Sequence, residues 1–228
     1  MTHQTAEQVK ERYLATMGDK LGPQFHALRQ EVIYLHRKWL EYVALFGTKP
    51  TRIKLMNATA SVFFRTVQDV FWDDILLHIG RLTDPPSTGK FFNLTLQNLS
   101  ALISDEKLKA KVDPLVSSVL EQSEFSREWR NKLVAHRDLD TAINGTADQI
   151  SGGSREQVNT ALDTMAALLD AIDLHFTESG THYRFDEGIG RAKDLLFFLD
   201  DGKKRYDERQ ARIIAGKGTP DDYAQRDV

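Results

Sequence analysis

Seven apolar residues, Phe25, Leu28, Val32, Leu35, Trp39, Tyr42 and Phe46, follow one another in alternating steps of three and four. That spacing keeps them on one side of a 3.6-residue repeat, so a long helix packed lengthwise in a bundle is what buries them together. Pro23 suits the first position of this helix, and Gly47 and Pro50 end it. The same periodicity governs most of the chain. A short helix is predicted from Ala6 to Met17. A long one runs from about Thr51 to Leu82, with Ile53, Met56, Ala60, Phe63, Val67 and Val70 as its stripe. The prolines of "TDPPSTG" stop it.

Short helices are expected over Thr95–Ile103 and near Glu106–Lys111. Asp113-Pro114 reads as a cap followed by a first-turn proline, opening a helix that reaches Arg137. Its stripe is Leu115, Val119, Gln122, Ser126, Trp129, Leu133 and His136. "DLDTAINGTADQISGGS" is a polar, turn-rich loop. Ser154 and Gln157 form a capping box for a helix carrying Val158, Leu162, Met165, Leu169, Ile172 and Phe176. A last helix is predicted from Arg191 to Ala215, with fraying beyond Gly216. No stretch alternates as a strand would. The predicted class is all-α, with an N-terminal arm (1–20), a helical domain (21–215) and a tail (216–228).

Net charge is −3, so any nucleic-acid contact must come from a local patch. There is no cysteine, which removes thiol catalysis and cysteine metal sites. No apolar run approaches the roughly 20 residues a membrane span needs, and the N-terminus lacks a signal-peptide core. A cytoplasmic location and no membrane partner are expected. Neither zinc-type histidine spacing nor a phosphate loop occurs, and no cofactor is expected.

Two groups of residues could carry chemistry. "FSREWRNKLVAHRD" concentrates Arg127, Arg130, Lys132, His136 and Arg137 around Trp129 and Leu133. Arg130 and His136 are six residues apart, about 120° around a helix and about 9 Å along it. They flank one groove, or converge if the helix end unwinds. A buried histidine bonded to a carbonyl at a helix end gives the same pattern. The second group is Asp74 and Arg81, which continue the stripe of the long helix, with His78 one turn after Asp74. Charges on an apolar stripe need partners, so both are expected to be at least half buried and paired across helices, Asp74 with Arg130 or His136. Burial of that kind would make Asp74→Ala cost about 3 kcal/mol. A structural salt bridge between helices accounts for them equally.

"RNKLVAHRD" resembles the R-x4–6-H signature of HEPN domains, with five residues between Arg130 and His136 and the polar Asn131 after the arginine. The order "DDILLHIGRLTDP", "NLTLQNL", "WRNKLVAHRD" is similar to the abortive-infection, AbiU-like branch, over roughly Phe25 to Phe198. The resemblance implies an α-helical bundle that commonly dimerises, bringing two motifs to one cleft. It also implies metal-independent RNA cleavage of toxin or antiviral type, with Arg130 and His136 catalytic. An antitoxin or regulatory protein is a further expected partner. Asn131 is the polar residue of the motif; Asp74 and Arg81, with His78 beside them, are assigned supporting roles from their place on the helix stripe alone, since the family pattern fixes none for them, and the local positive charge of Arg127, Lys132 and Arg137 suits contacts to RNA phosphates. A histidine of near-neutral pKa can move the proton of the RNA 2′-hydroxyl, and an arginine can hold the phosphate bidentately. The alternative is a non-catalytic HEPN module that binds nucleotide, RNA or a protein.

Overall fold

The computed structural model describes residues 5–130, 153–178, 180, 183 and 190–224. Among these the architecture is all-α, with one two-stranded ribbon. Helix α1 spans Ala6–Tyr42 and breaks at Gly18, whose φ of 81° takes the chain out of helical geometry. The two segments then approach so closely that a Cβ on Gly22 would lie 2.4 Å from the Tyr13 carbonyl oxygen. The helix after the break thus starts ahead of Pro23, which falls inside it rather than at its first position. The predicted stripe is buried from Phe25 to Tyr42, and Phe46 is half-buried in a π-helical turn, Val43–Gly47.

Helix α2, Pro50–Leu82, has the predicted limits but not the predicted face. Ala60 is non-helical (φ −153°, ψ 68°), and the kink turns the burial to other residues. Met56 and Phe64 are buried while Phe63 and Val70 are exposed. Beyond them Ile75, Leu76, His78 and Ile79 point inward, which leaves Asp74 and Arg81 outside.

A hairpin follows, β1 (Ser87–Thr88) paired antiparallel with β2 (Phe91–Phe92), turning through Gly89, which has positive φ. Helix α3 covers Asn98–Leu102. Helix α4, Glu106–Gln122, is one helix where a turn and a second start were expected. Its cap is Asp105, which accepts from the Lys107 and Leu108 amides, so Pro114 sits in the interior. Asp113 instead bonds Ser100 and Lys109 through its side chain. The expected run to Arg137 is interrupted at Ser123 (φ −105°, ψ 1°), after which α5 covers Glu124–Trp129. Helix α6, Arg155–Thr177, opens on the predicted capping box: the Gln157 amide donates to Ser154 Oγ and Ser154 N to Gln157 Oε1. Helix α7 covers Ala192–Ile214. The segment after it, where fraying was expected, carries one more turn, α8 (Pro220–Tyr223). Asp222 within that turn pairs with Arg212.

The chain divides into two compact units, Met1–Trp39 with Phe71–Phe185, and Leu40–Val70 with Asp186–Val228. The first buries Phe25, Leu28, Val32 and Leu35 of α1, Ile75 and Ile79 of α2, Val112 and Val119 of α4, and Val158, Leu162, Met165 and Leu169 of α6. Each such side chain contributes about 1.5–3 kcal/mol by leaving water. The second has its own cluster, Leu45, Met56, Phe64 and Leu196, and Glu41 there bonds both the Arg191 guanidinium and the Ala192 amide at the start of α7. No helix among the described residues is long and apolar enough to cross a membrane.

Candidate functional site

The C-terminal end of α2 organises the site. A helix end leaves carbonyls without intrahelical donors. Thr95 Oγ1 and the Leu96 amide donate to Leu82 O, and Gln97 Nε2 donates to Thr83 O and Asp84 O. The "TDPP" and "NLTLQNL" stretches are thus joined by hydrogen bonds. Helix α5 docks on the same end through its arginines. Arg127 donates to Thr83 Oγ1 (3.2 Å) and to Leu120 O (3.0 Å), a carbonyl left open by the break at Ser123. Its guanidinium, expected to contact RNA, therefore serves the α4–α5 junction. Arg130 Nη1 donates to Asp84 Oδ1 at 2.6 Å. Both side chains are about one quarter exposed, so the pair stands at the protein surface rather than in a sealed core. Trp129 Nε1 donates to Asp73 Oδ1 at 3.0 Å, fixing α5 to α2 from its other side.

Helices α1 and α2 lie antiparallel along a charged seam. Asp74 accepts from Lys38 (2.5 Å), and Arg81 lies 3.8 Å from Glu31. Glu31 and Lys38 are seven apart on α1, as Asp74 and Arg81 are on α2, so each pair of turns meets its complement. Asp74 pairs with Lys38; of the two partners expected for it, Arg130 meets the Asp84 carboxylate, and His136 lies outside the described residues. The burial expected for Asp74 and Arg81 is also corrected. The Asp74 side chain is 55% exposed and that of Arg81 65%, because the Ala60 kink moves the buried face away from them.

His78 goes the opposite way. Its side chain is 1% exposed, and its Nε2 lies 2.8 Å from Glu31 Oε2. Burial, then Lys38 and Arg81, push its pKa down to about 4, so the ring is neutral at pH 7. Glu31, His78, Arg81, Leu82, Asp84, Asn93 and Leu94 line a cleft of about 460 Å³. Among the described residues no three histidine or acidic side chains converge as metal ligands.

Asn131, Lys132, His136 and Arg137 lie outside the described residues. Of the predicted site residues, Asp84 thus holds Arg130 beside the cleft that also takes in His78 and Arg81, while Asp74 stands apart from it, on Lys38. The sequence reasoning passed over Glu31 and Asp84. Asp84 carried one signal, its place in the "TDP" that closes α2; Glu31 carried none, because an acidic residue on the exposed side of a helix is ordinary.

No curated protein and no solved structure matches the chain. A family model described as AbiU2, of HEPN type, matches residues 18–195, more than half of the chain. The match takes in both helices of the seam, the capped end of α2, and the Arg130 to His136 segment. The chain belongs to the AbiU2 family, an abortive-infection branch of the HEPN proteins.

Proposed function

We propose that this protein is a metal-independent endoribonuclease of toxin or phage-defence type, acting as a homodimer. Arg130 anchors the scissile phosphate and His136 transfers protons. The 2′-hydroxyl of RNA attacks its own phosphate, leaving a 2′,3′-cyclic phosphate. The observation that carries this reading is the position of Arg130. It belongs to the R-x5-H pair, it is part-exposed, and it is held by Asp84 at the rim of the cleft. A planar guanidinium so held can offer its fork to a phosphate and stabilise the charge that develops on it. Lys132 and Arg137, with Arg130, would supply the local positive charge that a chain of net charge −3 otherwise lacks. Two copies would bring two such motifs to one cleft, and an antitoxin or regulatory protein would restrain them.

The Arg130–Asp84 bond also favours a second reading. An arginine already satisfied by a carboxylate suits a non-catalytic HEPN module that binds RNA, nucleotide or protein. Cleavage of cellular RNA by the wild type and by His136→Ala separates the two. The enzyme reading expects cyclic-phosphate ends, resistance of DNA, insensitivity to EDTA, and a loss of about 10²- to 10⁴-fold in His136→Ala at unchanged melting temperature. Equal cleavage by both proteins, or none by the wild type, would overturn it.

A further inference from the structure

We infer that the ribbon formed by β1 and β2 is a stacking platform for unpaired RNA beside the cleft, where a base lies on the Phe92 ring and Lys90 meets a neighbouring phosphate. This names the substrate class of the ribonuclease reading, single-stranded rather than duplex RNA, and rests on that reading for the choice of RNA.

The ribbon stands off the core. Phe92 is 92% exposed and Phe91 66%. Ser87 faces Phe92 across the ribbon and Thr88 faces Phe91, so neither ring has an apolar cross-strand partner. The base of the ribbon is nonetheless fixed. The Asn93 amide donates to Pro86 O (2.9 Å), and Asn93 Nδ2 donates to Pro85 O (2.8 Å) and Thr88 Oγ1 (2.9 Å). Asn98 Nδ2 in turn donates to Asn93 O (2.9 Å). Exposed rings on a ribbon tied at its base meet a ligand with little ordering cost.

The ribbon is rooted in the cleft on both sides. Asp84, ahead of the two prolines, and Asn93, directly after β2, both line it, and Asp84 holds Arg130. Phe92 adjoins Asn93 in sequence, so a base resting on that ring lies next to the cleft.

Shape and charge favour a nucleic acid over a protein in this place. Adjacent strand residues point to opposite faces, so the two rings do not form one apolar patch. A stable protein interface takes roughly 800 Å² from each partner, far more than one ring on each side of so short a ribbon. A base needs only one free ring face. Lys90 is the single charged residue between Pro85 and Ser104, and its Nζ lies 5.6 Å from the centroid of the Phe91 ring. The Phe91 ring thus holds a cation at the ribbon while Phe92 stays open. A ring for the base and a cation for the phosphate are what a single strand binds. Paired bases stack on one another, so the ring takes an unpaired one.

The test is fluorescence anisotropy at fixed salt with a labelled synthetic RNA of mixed sequence, free or annealed to its complement. The proteins are wild type, Phe92→Ala, Phe92→Leu and Phe92→Trp. Wild type should bind the single strand more tightly than the duplex. Phe92→Ala should weaken single-strand binding by about 5- to 100-fold. Phe92→Leu, apolar but without a ring, should be as weak, and Phe92→Trp should restore binding. Lys90→Gln should lower the slope of log affinity against log salt by about 0.7, and an unchanged slope overturns the phosphate contact. Wild-type affinity in Phe92→Ala or Phe92→Leu, equal affinity for the duplex, or no binding by the wild type overturns the inference. So does a fall of Phe92→Ala to the mass of a single chain in light scattering with RNA affinity intact, which would give the ribbon to a second copy. Binding that depends on Phe92, without cleavage by the wild type, overturns the ribonuclease reading and leaves the platform standing.

Discussion

Arg130 Nη1 donates to Asp84 Oδ1 at 2.6 Å across 46 residues of sequence, joining the arginine of the R-x5-H pair to the loop that closes the long helix α2. That bond does two things. It fixes the start of the motif segment to a helix end already capped by Thr95 and Gln97, and it limits where the guanidinium can point. Replacement of Arg130 by lysine should abolish most cleavage, since a point ammonium cannot reproduce the planar fork. The same change should cost only about 1 kcal/mol of stability, because the pair is part-exposed. Rates and urea midpoints measured on one preparation check both halves; wild-type cleavage by Arg130→Lys would remove the anchor role.

Asp74→Ala should cost about 1 kcal/mol: the Asp74 carboxylate is 55% exposed, so solvent screens the pair, while the Lys38 side chain, 11% exposed, loses its carboxylate. Chemical denaturation reads this directly. A loss near 3 kcal/mol would mean that Lys38 is stranded in a buried setting when the carboxylate is removed.

His78 makes stability depend on pH in a defined direction. Its folded pKa, about 4, lies below its ordinary value of 6.5, so the unfolded chain binds the proton first. Its contribution is fully present above 6.5 and is lost as pH falls from there towards about 4, below which it levels off. His78→Gln should flatten that part of the profile of urea midpoint against pH. Parallel profiles for wild type and variant would show that His78 is not the group responsible.

Gly22→Ala should destabilise the protein by about 1–3 kcal/mol, since the new methyl would meet the Tyr13 carbonyl where the two segments of α1 fold together. The control is Gly202→Ala in α7, where a Cβ meets nothing within 4 Å. A melting temperature for Gly22→Ala no lower than that of the control would contradict the close approach.

In solution the protein should run as a homodimer, at twice the chain mass of 25.9 kDa. Light scattering at micromolar concentration checks this. The mass of a single chain would remove the two-motif cleft.

What could be read from the residues in order is what a helix decides locally. The α1 stripe, the limits of α2, and the Ser154–Gln157 capping box all follow from a 3.6-residue repeat and from caps three residues apart, and all three are present. The Arg130–His136 spacing and the "TDP" to "NLTLQNL" order were legible in the same way and led to the HEPN family. The face that α2 buries was not legible, because one non-helical residue, Ala60, shifts the phase of every residue after it while leaving the spacing intact. Nor were the pairings. Glu31 with Arg81, Lys38 with Asp74 and Asp84 with Arg130 join residues 36 to 50 positions apart, and the partner of each charge is fixed by how helices lie against one another. A sequence shows that a charge on a stripe needs a partner. Which carboxylate supplies it, and whether the pair stands in water or in the core, is decided only when the chain has packed.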